Sequence, residues 1–440
     1  MNIVYVGDNR NRGNFGCRAT STALSQMIAS KHNIVGRVTG KYTHLNNGNL
    51  FFVNGFSEKI YRRLGKIRHW NDIKVGTNLF FNMVRPHGKV MFSNFDFLTI
   101  ENLDKSINDL IKCLPANPEL RELDLRQYDF DAMIVNGEGS FIFSTPAWRE
   151  SITITMLMHW AQKLGKKVFF TNAMFSDSPT SEHNEKALKV VYEVLKKCDL
   201  ITVRERYSYD YAKKYMPELN PIIIPDALFT WYNYINDPFE VKNGKYFMDH
   251  RLESDEAYEN LDFSKPYICI SGSSVAGAYS EKKDIIEKYT YLVDMAKQKF
   301  PNHNIYLVET CEGDYFLLEV SRRTNTPIVG MGTPLLASAK ILANSSLYIT
   351  GRYHPCILGS LGGTPCVMLS SNSHKTISIQ EVLQYEEPYE YPFLFSKKEC
   401  GEMLERGEKY IKEGIELREK IKCRAKELAT QAMQLMQFIE

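Results

Sequence analysis

Short apolar runs ending in Gly, Asn, Asp or Arg alternate along this chain with stretches whose apolar residues recur at every third and fourth position. The short runs predict strands. They cover 3–6 before Gly7-Asp8-Asn9, 132–135 before Asn136-Gly137-Glu138-Gly139, 167–170 before Thr171-Asn172, 200–203 before Arg204, and 222–224 before Pro225-Asp226. The longer periodic stretches, such as 152–164 and 185–197, predict helices between them. The alternation pauses over 231–264, where Asn236-Asp237-Pro238 and Lys242-Asn243-Gly244 are polar, and restarts with runs at 267–270, 305–308, 327–329, 347–350 and 366–369. From Ser396 onward the pattern is that of charged amphipathic helices. Strand–loop–helix repetition of this kind predicts parallel sheets covered by helices on both faces. The expected fold class is therefore α/β and GT-B-like, with two Rossmann-like domains facing across a cleft and a C-terminal helical segment. The expected boundaries are an N-terminal domain over 1–235, a linker or insertion over 236–264, a second domain over 265–395 and C-terminal helices over 396–440.

Composition narrows the function classes. The 54 basic and 52 acidic residues of this 440-residue chain leave a net charge of +2, which gives no electrostatic reason to expect nucleic acid. Anion binding must then come from locally placed arginines. The first residues lack the basic flank and apolar core of a signal peptide, and no run approaches the roughly 18 apolar residues that cross a bilayer. Nine cysteines without a C-x-x-C pair read as reduced thiols, so a cytoplasmic location is expected. Ten histidines are dispersed with no H-x-x-x-H, and no metal site is expected.

In open α/β sheets ligands sit beyond the carboxyl ends of the strands, so residues just after each strand are the candidates. Arg352 and His354 flank Tyr353 after the run at 347–350. Residues two apart in extended backbone point the same way, and Pro355 suits the first position of a helix whose N-terminus favours an anion. Arg204 ends its own strand, and arginine suits two-pronged recognition of carboxylate or phosphate. Glu205 and Arg206 read as a surface pair or helix start, with Ser208 as a cap. The loop from Gly7 to Thr20 follows the first strand and opens a helix over 20–28. It is neither G-x-G-x-x-G nor Walker A, and its Asn14, Gly16, Cys17 and Arg18 read as cleft-lining. Asn136, Gly137, Glu138, Gly139 and Ser140 form another glycine-rich strand end, where Glu138 could serve as a general base. Ser271, Gly272 and Ser273 are the second-domain counterpart. Asp8, Asp177 and Asp226 read as turn or cap residues.

These residues, taken together, resemble the polysaccharide pyruvyl transferase family across roughly residues 1–375. The likeness rests on Gly13-Asn14-Phe15-Gly16, Asn136-Gly137-Glu138-Gly139, Val203-Arg204-Glu205 with Ser208, Pro225-Asp226, Gly351-Arg352-Tyr353-His354, and Gly363-Thr364-Pro365 with Lys375. The resemblance implies a GT-B-like fold. It also implies transfer of a pyruvyl group from phosphoenolpyruvate to two sugar hydroxyls, closing a cyclic ketal and releasing phosphate. Arg204 and Arg352 would bind the donor's phosphate and carboxylate with His354 beside them, aided by the backbone at Tyr353. No metal or organic cofactor is called for. Two positions depart from the family pattern: Cys17, followed by Arg18, stands where an aspartate is usual, and Tyr353 where a leucine is usual.

The expected acceptor is a saccharide of a surface polymer or its lipid-linked precursor. The segment 57–70 sets Ile60, Leu64 and Ile67 at helical spacing beside Arg62, Arg63, Lys66 and Arg68, a face that could meet the inner side of an anionic membrane. Two rival readings share the fold: a GT-B glycosyltransferase using a sugar nucleotide, and a non-catalytic saccharide-binding protein. The oligomeric state has no signature in the sequence.

Overall fold

The alternating runs pair as two separate parallel sheets, one from each half of the chain. The computed structural model describes residues 1–39, 97–114, 118–236, 261–279 and 282–439. The basic segment 57–70 and most of the expected linker lie outside the described residues.

The first half reads β1 (Asn2–Asp8), α1 (Phe15–Lys31), β2 (Asn33–Thr39), α2 (Leu103–Cys113), β3 (Ala132–Ile142), α3 (Arg149–Lys163), β4 (Lys167–Ser176), α4 (Glu185–Leu195), β5 (Leu200–Val203), α5 (Arg206–Tyr215), β6 (Ile222–Ile223) and α6 (Tyr232–Asn236). Its sheet runs β2-β1-β3-β4-β5-β6. Ile3 faces Ala132 and Ile134 faces Phe169 across parallel pairs. The second half reads β7 (Tyr267–Ser273), α7 (Lys283–Lys299), β8 (Asn304–Val308), α8 (Phe316–Thr324), β9 (Ile328–Val329), α9 (Leu335–Asn344), β10 (Leu347–Gly351), α10 (Tyr353–Leu361), β11 (Cys366–Leu369), α11 (Lys375–Val382) and β12 (Glu390–Tyr391). Its sheet runs β12-β11-β10-β7-β8-β9. β3 and β4 are buried along almost their whole length, as strands covered on both faces are.

Two elements escape the sequence reading for physical reasons. β2 is a half-exposed edge strand whose Gly36 and Arg37 break the apolar run. α1 starts five residues before the expected helix because Asn14 caps it, its side chain accepting from the Cys17 N–H. Glu205, expected in a surface pair or at a helix start, is buried and stands at the helix start, where it and not Ser208 is the N-cap of α5, taking the Ser208 N–H.

One apolar cluster joins the two halves. Ile3, Ala19, Leu24 and Trp231 share it with Tyr267, Leu342, Ile357 and Leu361, so the domains meet along α1 and α10 through a continuous core. The long α12 (Lys397–Met433) and α13 (Leu435–Phe438) pin this arrangement. Arg418 of α12 donates to the carbonyls of Ser345, Ala343 and Gly362 in the second domain. Beyond α12, Lys31 donates to the Met436 carbonyl, and the His32 ring contacts the Ile439 carbonyl at 2.9 Å. No described helix is long and apolar enough to cross a membrane.

Candidate functional site

Where α1 and α10 converge, the strand ends of both sheets enclose a cavity of about 180 Å³. Its wall includes Arg204 after β5, Arg352 and His354 after β10, and Glu138 in β3. Two glycines at or beside it are approached closely by the second domain. A Cβ on Gly16 would stand 2.9 Å from the His354 Cβ, and one on Gly139 would stand 2.9 Å from the Lys375 Nζ.

Arg204 is 2% exposed, and its NH1 donates to Asp226 Oδ2 at 2.9 Å. The same NH1 lies 3.1 Å from His354 Nε2, and the guanidinium sits 4.1 Å above the Tyr353 ring. Asp226 also takes the Thr20 hydroxyl at 2.7 Å and the Leu228 N–H at 3.0 Å. The residue expected to be a cap is therefore a cap and an ion-pair partner together. Burial pushes its carboxyl up, but His354 and Arg204 outweigh burial and hold it well below the usual carboxylate range. Nε2 of His354 is 3.3 Å from Asp226 Oδ2. When protonated it donates to Asp226, and when neutral it accepts from Arg204, so both forms of the imidazole are held in one place.

Arg352 is built differently. Its NH2 donates to Asp314 Oδ1 at 2.5 Å, and Asp314 is fixed in turn by the Thr310 N–H at 3.0 Å and hydroxyl at 2.6 Å. Burial lowers the Arg352 pKa, but the Asp314 charge outweighs it and the guanidinium stays charged. The Nε–H groups of Arg204 and Arg352 are both buried without a hydrogen-bond partner. Such orphaned donors are uncommon in folded proteins.

Lys375 completes the cationic wall. Its Nζ donates to Asn372 Oδ1 at 3.2 Å, and it has no carboxylate partner among the described residues. Burial first, then the charge of Arg204, push its pKa down to about 8.

Beneath the cavity runs a buried polar network. Glu138 Oε1 accepts from Asn9 Nδ2 at 2.9 Å, Asn136 Nδ2 at 2.9 Å and Ser21 Oγ at 3.1 Å. Asn136 Oδ1 accepts from Asn172 Nδ2 at 3.0 Å, which also donates to Thr20 Oγ1 at 3.0 Å, and Thr20 reaches Asp226. Glu138 and Asn172 hold left-handed φ angles of 35° and 53°. Non-glycine residues in that region carry strain of about 1–3 kcal/mol, and it concentrates at functional sites.

The expected residues separate into two groups. Asn14, Cys17, Glu138, Gly139, Ser140, Arg204, Arg352, Tyr353 and His354 line the cavity. The others lie behind it. Arg18 is buried with its Nε donating to the Arg10 carbonyl, Asn136 belongs to the network, and a Cβ on Gly137 would stand 2.6 Å from the Ala173 Cβ. The second-domain segment is spent within its own sheet. Ser271 bonds Tyr348 and Thr350, Ser273 bonds the Ser370 carbonyl, and the Asp314 carboxylate occupies the place of a Gly272 Cβ. The neighbouring Ser274 lines the cavity instead. Lys375, Asp314, Trp148 and Glu150 were not singled out as site residues from the sequence. The strand-end criterion reaches Asp314, which sits in the loop after β8. It does not reach Trp148 or Glu150, at the start of α3. Cys17, Glu138 and His354 bring ligating atoms within 4.8 Å of one another. Arg204, Arg352 and Lys375 line the same cavity.

The comparisons bear on fold and family separately. The fold is similar to that of UDP-GlcNAc 2-epimerase from Neisseria meningitidis bound to UDP-GlcNAc, at 10% identity and TM-score 0.51, covering 100% of this chain and 98% of that one. A spinosyn rhamnosyltransferase complexed with thymidine diphosphate aligns at 10% identity and TM-score 0.42, over 100% of both chains. UGT2 of Phytolacca americana complexed with UDP-2fluoro-glucose and pterostilbene aligns at 12% identity and TM-score 0.46, over 98% of this chain and 95% of that one. The first of these likenesses shows a two-domain GT-B fold. No curated protein matches the chain in sequence. The family model for polysaccharide pyruvyl transferase matches residues 41–373, so the loop at 13–17 with Cys17 lies outside the matched span and Lys375 two residues beyond its end. With three quarters of its length matched, this chain belongs to the polysaccharide pyruvyl transferase family, and it is a transferase.

Proposed function

We propose that this transferase moves the pyruvyl group of phosphoenolpyruvate onto two hydroxyls of a saccharide, closing a cyclic ketal and releasing phosphate. The observation that carries this reading is the cavity itself. Three cationic groups, Arg204, Arg352 and Lys375, converge on about 180 Å³. Pockets that hold drug-sized ligands run to roughly 300–1,000 Å³. A three-carbon acid bearing phosphate and carboxylate suits that space and charge. The orphaned Nε–H groups of the two arginines fit the same reading, since buried donors without partners cost about 1–3 kcal/mol each unless a ligand compensates.

The chemistry follows from the residues. Protonation of the donor's methylene carbon makes its central carbon electrophilic, and an acceptor hydroxyl adds there. A second hydroxyl then displaces phosphate, whose charge the cationic wall stabilises as it develops. His354 is the general acid/base of the departure step, since its imidazole meets an acceptor in one protonation state and a donor in the other. The cations do the work for which a metal would otherwise serve, so the reaction runs without metal or organic cofactor. The acceptor is a surface polysaccharide or its lipid-linked precursor, modified in the cytoplasm.

Thermal shift tests the donor. Phosphoenolpyruvate should raise the melting temperature while a panel of sugar nucleotides does not, and phosphate should be released only when a saccharide acceptor is added. Stabilisation by a sugar nucleotide alone would overturn the proposal in favour of glycosyl transfer.

A further inference from the structure

The third residue of α1 places a thiol in this cavity. Asn14 Oδ1 takes the Cys17 N–H at 3.1 Å, which fixes the backbone that presents the side chain. The sulfur, a Glu138 carboxylate oxygen and a His354 ring nitrogen all lie within 4.8 Å of one another. They stand against the same cavity as the cationic wall. Glu138 is clamped as an acceptor by three donors and by its left-handed backbone. A helix N-terminus ordinarily favours a thiolate. Here burial, then the Glu138 charge, push the Cys17 thiol well above its usual value, with Arg12 opposing and Glu150 reinforcing that effect. The sulfur thus holds its proton at the wall of the cavity.

Resting on the phosphoenolpyruvate reading, we propose that Cys17 delivers the proton to the donor's methylene carbon, and that Glu138 collects the acceptor's hydroxyl proton and returns it to sulfur. In the forward step the C2=C3 electron pair takes the thiol proton at C3, forming the methyl group and leaving a thiolate and an electrophilic C2. The acceptor oxygen bonds to C2 through a lone pair. Its proton passes to the Glu138 carboxylate and on to the thiolate, so both side chains end as they began. One hydrogen moves from hydroxyl to methyl, nothing is oxidised, and His354 remains free for the departing phosphate.

The test compares wild type with Cys17→Ser, Cys17→Ala and Cys17→Asp, measuring turnover with a saccharide acceptor and stabilisation by phosphoenolpyruvate. A general acid contributes roughly 10²–10⁴-fold. The expected result is a loss of 100-fold or more in phosphate release for Ser and Ala, with donor stabilisation retained. Cys17→Asp should recover a larger share of turnover than Cys17→Ala, because a carboxyl carries a proton to the same place. In D2O the wild type should put one deuterium per turnover into the ketal methyl. Turnover of Cys17→Ser or Cys17→Ala within threefold of wild type overturns the role of Cys17 alone. Loss of donor stabilisation along with turnover in both variants also overturns it, since sulfur would then only be structural. Failure of phosphoenolpyruvate to stabilise the wild type overturns the donor reading, and this inference with it.

Discussion

Each sheet delivers one buried arginine to the cleft, and the two are secured in different ways. Arg352 is held entirely within its own domain, by Asp314 from the loop after β8, itself fixed by Thr310. Arg204 is held partly across the seam. Its carboxylate partner Asp226 is local, but His354 and the Tyr353 ring come from the second domain. One arginine is thus part of a finished domain, while the other is completed only when the domains are docked. The shared apolar core and the C-terminal helices make that docking permanent enough for a catalytic group to depend on it. His354 sits at the dependent arginine, so chemistry and domain association are linked at one point.

The largest effect should come from removing that link. His354→Ala should lower turnover by roughly 10²–10⁴-fold, the range for a general acid/base, while phosphoenolpyruvate still stabilises the protein in a thermal shift assay. An unimpaired variant would remove His354 from the mechanism and leave the arginines as binding groups only.

The two aspartates sharpen the comparison next. Removing one partner of a buried ion pair costs about 3–5 kcal/mol, because the other charge is left uncompensated. Asp226→Ala and Asp314→Ala should therefore lower stability comparably in denaturant titrations. Turnover should separate them in variants that still fold. Asp226→Ala also strips His354 of its acceptor, whereas Asp314→Ala leaves that contact intact and weakens donor binding instead. Equal losses of turnover at saturating donor would erase the distinction between the two arginines.

How much of this was legible beforehand follows from the same geometry. Strand-end placement is a local property of sequence, and it selected Arg204, Arg352, His354 and Glu138 because each follows or ends an apolar run. The β5 strand at Leu200–Val203 and the β11 strand at Cys366–Leu369 came out at their expected bounds, since both are short, fully buried runs. What a run of residues does not carry is which partner folds back on it. Asp226 looked like a turn residue because its cap to Leu228 is local, while its bonds to Thr20 and Arg204 span 206 and 22 positions. Ser271 and Ser273 looked like cleft residues by the strand-end rule. β7 runs further than its apolar stretch, so their hydroxyls are consumed between strands. Lys375 opens a helix instead of ending a strand, and only the approach of Gly139 from the other domain reveals that it faces the cavity.

Lys375 gives the next effect in size. Both arginines are paired with an aspartate, whereas Lys375 has no carboxylate hydrogen-bond partner among the described residues. Burial pushes its pKa down to about 8. Phosphate affinity can be followed by calorimetry across that pH. It should fall by up to about tenfold per pH unit above it, as the amine loses its proton. The stability consequence has the opposite sense. The folded pKa lies below the unfolded value of about 10.4, so the unfolded chain binds more protons between about pH 8 and 10.4, and stability should rise with pH across that window. Lys375→Met should flatten both dependences. A phosphate affinity indifferent to pH from 7 to 9 in the wild type would show that the arginines alone hold the anion.

The smallest effect tests the feature that Arg204 has and Arg352 lacks. The Tyr353 ring lies 4.1 Å beneath the Arg204 guanidinium, and its hydroxyl is buried without a partner. If the ring acts through its face, Tyr353→Phe keeps the contact and removes an unsatisfied hydroxyl, so stability should stay within about 0.5 kcal/mol of wild type or rise slightly. Tyr353→Leu removes the π-face, which is worth about 0.5–2 kcal/mol under a desolvated cation. Unfolding free energies should therefore order Phe at or above Tyr, and both above Leu. Donor affinity should fall with the same ordering, because the ring is what holds the seam-spanning arginine in register with its local aspartate. Leucine matching tyrosine in both measurements would mean that Asp226 and His354 suffice to place Arg204. The two arginines would then differ in their partners but not in how firmly they are held.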